Sequence, residues 1–275
     1  MGLRCFRLAA GALLLTSAMP ASAAYIFNGT EVAIFNFTTG YNTPGINNVS
    51  DGNARFYSAT SPDFGTVQVR VTGWSLEKVK TGYNSYTTYV RDSKLEVWNG
   101  GLGITSGDDD GGANNQHTSD NEGRKDFFLF QFNAPVAFIG AGFNTYSVLG
   151  TTKDSDATIK YGFNYNQPWN CSVGACGDLN LDGKTESYLN GLFDGTFESL
   201  GNGTSGHRLF SPEIHWGNTW LLGSSFVNKD GKIDGFKLSN LAVVPEPATW
   251  LMMIGGFGLL GASLRRQRRR TAALT

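Results

Sequence analysis

Residues 127–132 read Phe-Phe-Leu-Phe-Gln-Phe, an apolar run near the middle of a chain of 275 residues. Side chains alternate along an extended strand, so Phe128, Phe130 and Phe132 share one face. The opposite face carries Phe127 and Leu129 and is also largely apolar. A strand that is apolar on both faces must be buried against other apolar groups on both faces. We therefore predict that this run is a central strand of the fold.

Six further runs have the alternation, or the β-branched and aromatic residues, that strands favour. No long stretch of residues 24–243 has helical periodicity. Segments rich in Gly, Asn, Asp and Ser separate the runs and supply the positive φ and local hydrogen bonds of turns. Short strands at this spacing predict an all-β fold, specifically a β-sandwich of jelly-roll type over residues 24–243. The six predicted strands are 67–71, 95–98, 136–143, 157–163, 219–227 and 235–243.

The beginning of the chain has the pattern of a secretory signal peptide. Arg4 and Arg7 precede an apolar run over residues 8–18, and Ala21-Ser22-Ala23 is a small-residue cleavage site. Residues 1–23 are therefore predicted to direct the chain to the Sec translocon and to be removed by signal peptidase.

The charge of the exported region differs from that of the whole chain, which is −1. Leaving out the signal peptide and residues 244–275 leaves 15 basic and 22 acidic residues, a net charge of −7. Nucleic acid binding needs a basic face to neutralise phosphates, so nucleic acid is excluded as a partner.

The C-terminal segment combines a proline-flanked motif, an apolar run and a basic tail. Residues 247–264 carry no charge, and as a helix they span about 27 Å, enough for one membrane crossing. The arginines that follow predict a cytoplasmic tail at 265–275, because positive charge is retained on the cytoplasmic side. The residues that form the pattern are Pro245, Glu246, Pro247, Trp250, Arg265, Arg266, Arg268, Arg269 and Arg270.

This pattern at 244–270 resembles the PEP-CTERM sorting signal of Gram-negative bacteria, which implies recognition by an exosortase. The alternative is an ordinary single-span anchor that follows a proline linker. The resemblance implies a protein that is anchored in the inner membrane with a periplasmic domain, and is then displayed at the cell surface or released. It also implies association with the cell envelope or with extracellular polysaccharide.

Residues 117–132 are similar to a group of exosortase-dependent surface proteins that carry an Asp-Asn-x-Gly motif before a hydrophobic strand. The motif here is Asp120-Asn121-Glu122-Gly123, with residues 101–104 before it and Asp154-Ser155-Asp156 after it. This resemblance implies a surface protein and no particular reaction. The residue types alone favour a tight turn over a ligand site.

Residues 24–243 contain two cysteines, Cys171 and Cys176. In an oxidising periplasm we expect them to form a disulfide that closes a short loop. The alternative is that the two cysteines bind zinc, but two further zinc ligands at a suitable spacing are missing from the sequence.

Residues 178–186 read Asp-Leu-Asn-Leu-Asp-Gly-Lys-Thr-Glu and match the first half of a calcium loop. Leu189 stands where such a loop ends in a bidentate carboxylate, which leaves a polar turn as the alternative. Residues 108–110 are a weaker calcium candidate. Residues 228–234 are a weaker echo of the calcium loop, and a hairpin turn is favoured there. The predicted calcium ligands are Asp178, Asn180, Asp182, Lys184 and Glu186.

The sequence contains none of the local catalytic motifs of hydrolases, metalloproteases or phosphate-binding enzymes. His117, His207 and His215 are far apart in sequence and are expected to be surface or turn residues. We therefore predict a non-enzymatic protein. The rival classes are a carbohydrate-binding jelly-roll module, which solvent-facing tryptophans would indicate, and a glycan-active enzyme, which would need two carboxylates across a cleft.

Overall fold

A computed structural model of the chain describes residues 25–27, 30–38, 46–48, 52–61, 65–107, 117–164, 179–210 and 213–246. Within these residues the protein is almost entirely antiparallel β-structure, with one short helix. The strands are β1 Tyr25–Phe27, β2 Thr30–Asn36, β3 Ile46–Asn48, β4 Gly52–Ser61, β5 Gly65–Lys80, β6 Tyr86–Asp92, β7 Lys94–Trp98, β8 Gly101–Thr105, β9 Ser119–Asp120, β10 Lys125–Thr145, β11 Ala157–Gly162, β12 Gly195–Ser199, β13 Gly206–Leu209, β14 Gly217–Ser224 and β15 Gly235–Pro245, and the helix α1 is Glu186–Asn190.

Strand β10 organises the sheet because its two halves have different neighbours. Its first half lies between β5 and β14, and its second half lies between β15 and β13. The register with β14 shifts between Gln131 and Val136, where the strand changes partners. The prediction of separate strands at 127–132 and 136–143 is therefore wrong, since β10 runs through both without interruption.

The main core lies where faces of both halves of the sheet meet. Phe128, Phe130 and Phe132 belong to this core, as do apolar residues of β2, β5, β8, β14 and β15. Phe138 stacks on Trp220 with ring centroids 4.1 Å apart, which ties the second half of β10 to β14. The sheet therefore folds around one core in the manner of a sandwich. The all-β prediction is confirmed, while the jelly-roll topology stays a prediction.

The opposite face of β10 is also covered, as the apolar pattern of residues 127–132 predicts. Phe127 and Leu129 pack in a second cluster beneath three leucines from outside the sheet, Leu179, Leu181 and Leu189. Helix α1 begins after Thr185, whose hydroxyl accepts a hydrogen bond from the Tyr188 backbone N–H as an N-cap. The prediction of a central strand is confirmed, because β10 pairs on both edges and is buried on both faces.

Among the described residues, no helix is long and apolar enough to cross a membrane. The predicted signal peptide at 1–23, the predicted membrane helix at 247–264 and the basic tail lie outside those residues. So do Cys171, Cys176 and the acidic loop at 108–110.

Candidate functional site

Three aspartates form a buried cluster at one end of the sheet. Asp154 and Asp156 lie in the segment before β11, and Asp234 lies directly before β15. Each side chain contributes a carboxylate oxygen to a group in which all distances are within 4.8 Å. The exposed fractions of these residues are 2%, 6% and 1% in chain order. Charges this close and this buried need hydrogen bonds or counter-charges.

The Asp120-Asn121-Glu122-Gly123 motif supplies part of this support. The Asn121 side-chain amide donates a hydrogen bond to Asp234 Oδ2 at 2.6 Å, and its oxygen accepts one from the Asp234 backbone N–H at 2.9 Å. Asp120 Oδ1 accepts from the Glu122 backbone N–H, and Gly123 has φ +65°, so the predicted tight turn is present. The structure thus brings together two motifs that are more than 30 residues apart in the sequence.

Backbone donors and two cations complete the network. Asp234 Oδ1 accepts from the Asp156 backbone N–H at 2.7 Å, and Asp156 Oδ1 accepts from the Gly201 backbone N–H at 2.5 Å. Lys232 Nζ lies 3.2 Å from Asp154 Oδ2. Arg208 donates to the Ser155 backbone carbonyl at 2.7 Å and is attracted by the carboxylates around it.

Burial is the main influence on protonation in this cluster. It raises the pKa of Asp234 to about 8, and the neighbouring carboxylates of Asp156, Asp154 and Asp230 act in the same direction. Burial also raises the pKa of Asp156. The pKa of Arg208 falls to about 10 because the guanidinium is desolvated, although the nearby carboxylates oppose that shift.

This arrangement is a charge network built from the chain's own residues. Three carboxylate oxygens at this spacing suit a hard cation in principle, but Lys232 and Arg208 already supply counter-charge here. The carboxylates are buried, unlike the pair that glycoside hydrolysis requires on either side of an accessible cleft. For residues 228–234 the sequence favours a hairpin turn over a calcium loop. The segment does turn, but it joins strands that pair with different halves of β10, so the hairpin prediction is wrong.

The predicted calcium loop packs along the edge of β6. Asp178 lies outside the described residues, and Asn180, Asp182 and Lys184 are exposed. The Val90 backbone N–H donates to the Lys184 carbonyl at 2.8 Å, and the Gly183 N–H donates to the Val90 carbonyl at 2.9 Å. Gly183 has φ +72°, the left-handed conformation that the sharp turn of such a loop requires.

Leu189 explains the departure from the calcium-loop pattern. It lies in helix α1, is fully buried, and packs with Leu179 and Leu181 against the sheet. A carboxylate at this position would be desolvated in an apolar cluster, so the packing favours leucine over a twelfth-position ligand. Calcium binding by the remaining ligands stays a prediction.

We expect millimolar Ca²⁺ to raise the melting temperature of the protein modestly if this loop binds the ion. At ten times a dissociation constant of about 10⁻³ M, mass action adds about 1.4 kcal/mol, or roughly 3 to 5 °C. The measurement is thermal unfolding in Ca²⁺ and in chelator for the wild type, Asp182→Ala and the control Glu213→Ala. Loss of the shift in Asp182→Ala alone supports the site, and an unchanged melting temperature in wild type contradicts it.

The proline motif begins inside the folded domain. Strand β15 continues to Pro245, which is buried and pairs with Val136, and the Glu246 backbone N–H donates to the Pro135 carbonyl at 3.0 Å. The predicted β domain ends at residue 243, yet Val244 and Pro245 complete its last strand. Glu246 is exposed and is the last residue that the structure describes.

Comparison with known proteins identifies the C-terminal segment. Residues 243–270 match the PEP-CTERM protein-sorting motif. This motif indicates an exported protein that an exosortase sorts and processes at the membrane. No curated protein and no solved structure matches the chain.

Proposed function

We propose that the chain is a non-enzymatic surface protein whose β domain is exported, anchored in the inner membrane by residues 247–264, and then released or displayed by an exosortase. The observation that carries the proposal is the PEP-CTERM motif at 243–270, which begins within strand β15 and continues to the basic tail. Signal peptide removal after residue 23 and retention of residues 265–275 in the cytoplasm complete the proposed route.

The proposed role outside the cell is association with the envelope or with extracellular polysaccharide. Two tryptophans favour it. Trp98 and Trp216 are half-buried, whereas Trp74 and Trp220 are core residues with at most 1% exposure. Partly exposed tryptophans offer apolar ring surface on which a sugar can pack. A carbohydrate-binding module of jelly-roll type is therefore the second candidate function.

We expect neutralisation of the basic tail to prevent most processing, because the arginines hold the tail on the cytoplasmic side. The variant replaces all five tail arginines by glutamine, and immunoblots of membrane and secreted fractions measure the processed protein. The matched control replaces five exposed lysines of the β domain by glutamine: Lys78, Lys80, Lys94, Lys153 and Lys229. Equal processing of the two variants would contradict the proposed role of the tail.

A further inference from the structure

The last strand of the β domain leads directly to the predicted membrane helix. Pro245 at the end of β15 is paired with Val136. The Glu246 backbone N–H donates to the Pro135 carbonyl at 3.0 Å. Only Glu246 therefore separates the paired end of the strand from residue 247, where the predicted helix begins, and two residues of extended chain reach at most about 7 Å. Insertion of the helix thus brings this end of the sheet to the membrane surface.

The sheet has an apolar patch on its outer side, which is the side that points away from the main core. Val243 of β15 belongs to the main core, so its neighbours Ala242 and Val244 point to the outer side. Trp216 packs against the residues of this side and is half-buried, and Ile214 is 48% exposed. Strands β2, β10 and β15 contribute a separate apolar cluster there, which consists of Val32, Ala137, Ile139, Ala242 and Val244. The outer side is therefore apolar where the chain leaves the domain.

Two exposed aliphatic side chains lie in one row across this outer side. Directly opposite residues of antiparallel strands lie on the same face of a sheet. Ile34 is opposite Ala242 in the pair of β2 with β15. Gly140 of β10 is opposite both Ala242 and Leu209, the latter on β13. Ile34 and Leu209 are 46% and 60% exposed, and four strands about 4.8 Å apart give the row a width of about 14 Å.

The next row, farther from Glu246, is polar. Asn240 is opposite Asn36 and Gly142, and Gly142 is opposite His207. Asn36 and His207 are exposed, and His207 Nδ1 lies 3.0 Å from Asn240 Oδ1 in a hydrogen bond. Successive rows on one side of a strand are about 7 Å apart. The apolar part of the outer side is therefore about as deep as the 5 to 10 Å by which amphipathic surfaces enter a membrane interface.

We propose that the apolar outer face, which consists of Ile34, Leu209, Ile214 and Trp216, lies in the interface of the bilayer that holds the membrane helix. The inference rests on the proposed function, because residues 247–264 bring the face to the membrane, and it concerns the anchored protein before processing. Exposed apolar patches with polar rims are typical of surfaces that contact a protein or a membrane. The short connection to residue 247 favours the membrane, and tryptophan is a preferred residue at that depth.

The charges beside the apolar outer face favour a zwitterionic lipid surface. Glu213 is next to Ile214 in the chain, Glu246 follows the last strand, and both are exposed. Carboxylates repel anionic headgroups, whereas surfaces that select anionic lipids carry clusters of lysine and arginine. The contact should therefore form on phosphatidylcholine and gain nothing from phosphatidylglycerol.

The test is tryptophan fluorescence of the full chain in phosphatidylcholine vesicles, with ordinary lipid and with brominated lipid, which quenches tryptophans that contact acyl chains. We expect Trp216→Phe to lose part of the lipid-dependent quenching of the wild type. Trp250 is present in every variant, so the difference reports residue 216. The matched control is Trp98→Phe, a half-buried tryptophan beside Lys237 and beyond the polar row, which should retain the wild-type quenching.

A second variant leaves Trp216 in place and changes only exposed side chains. Ile34→Ser combined with Leu209→Ser should remove most of the quenching that Trp216 contributes, because the face loses its exposed aliphatic groups. The control combines Leu200→Ser with Val227→Ser, exposed apolar residues past the far ends of β12 and β14, and should be quenched as the wild type is.

Equal quenching of the wild type and Trp216→Phe would overturn the membrane contact, and a second copy of the chain covering the face would give that result. Equal quenching of the two double variants would overturn it as well. Flotation of the vesicles tests the anchor separately. A chain that does not float contradicts the membrane helix, whereas a chain that floats without quenching of Trp216 contradicts the contact alone.

Discussion

Lowering the pH from 8 to 5 is expected to stabilise the β domain through Asp234, by on the order of 3 kcal/mol. Burial raises the folded-state pKa of Asp234 to about 8, whereas an unfolded aspartate titrates near 3.9. Between these values the folded state binds more protons than the unfolded state. The stability that Asp234 contributes is therefore fully present below its unfolded-state pKa, and it is lost as the pH rises towards 8. The charged groups that face Asp234 are Asp154, Asp156, Asp230, Arg208 and Lys232.

Other titrating groups also contribute to the dependence of wild-type stability on pH. The prediction therefore concerns the difference between the wild type and the Asp234→Asn variant. The pKa of Glu77 is lowered, chiefly by its hydrogen bond with Arg91, which gives the opposite slope in acid. Asp234→Asn removes the titration of residue 234, so the gain in stability between pH 8 and pH 5 should largely disappear. Its absolute stability should also fall, because the new amide N–H₂ group faces the Asn121 amide donor.

Urea unfolding at pH 5, 6, 7 and 8 measures this slope, with Asp194→Asn as the control at an exposed aspartate. The control should retain the wild-type slope. If Asp234→Asn has the same slope as wild type, Asp234 does not titrate in this range and the buried cluster is held by other means.

Replacing Lys237 by methionine is expected to raise the free energy of unfolding at pH 7 by about 2 kcal/mol. The folded-state pKa of Lys237 is lowered to about 8 because the ammonium group is desolvated by burial. Methionine is of similar length and carries no charge, so it removes that cost and retains packing against Tyr146 and Trp98.

The stabilisation by Lys237→Met should depend on pH in a defined direction. Below pH 8 the lysine is charged in both states, and the folded state bears the full desolvation cost. Between pH 8 and about 10.4 the folded state releases its proton first, so the wild type gains stability as the pH rises. The advantage of the variant should therefore shrink by pH 10. Urea unfolding at pH 7 and pH 10 tests this, with Lys94→Met as the control, and a destabilised variant at pH 7 would contradict it.

The local pattern of the sequence was sufficient to predict the all-β class and the strand at the centre of the sheet. The Phe-Phe-Leu-Phe-Gln-Phe run predicts a strand that is apolar on both faces, and the structure buries both faces of β10. The turn after Trp98 follows from Asn99-Gly100, since glycine allows positive φ. These features depend on neighbouring residues, whose geometry is set by short-range sterics and by strand alternation.

The sorting motif was also predictable, because it is a linear segment whose pattern lies in adjacent residues. The junction of this motif with the β domain was not predictable from the sequence. Pro245 was expected to lie outside the β domain, yet it pairs with Val136 at the end of β15. Proline lacks an N–H donor but can still end a strand, and here the hydrogen bond beside the Val136–Pro245 pair comes from the Glu246 backbone N–H to the Pro135 carbonyl.

The sequence by itself determined an all-β exported domain with a sorting signal, since alternation, turn residues and charge are properties of adjacent residues. The tertiary structure alone decided which polar groups meet. Asn121, Asp156 and Asp234 are joined by hydrogen bonds across separations of 78 and 113 residues. Lys237 looks like an ordinary strand lysine until the fold shows two aromatic rings beside it, and no carboxylate beside it among the residues that the structure describes. Burial and long-range contact set the energies of both sites, and neither quantity exists until the sheet has closed around its core.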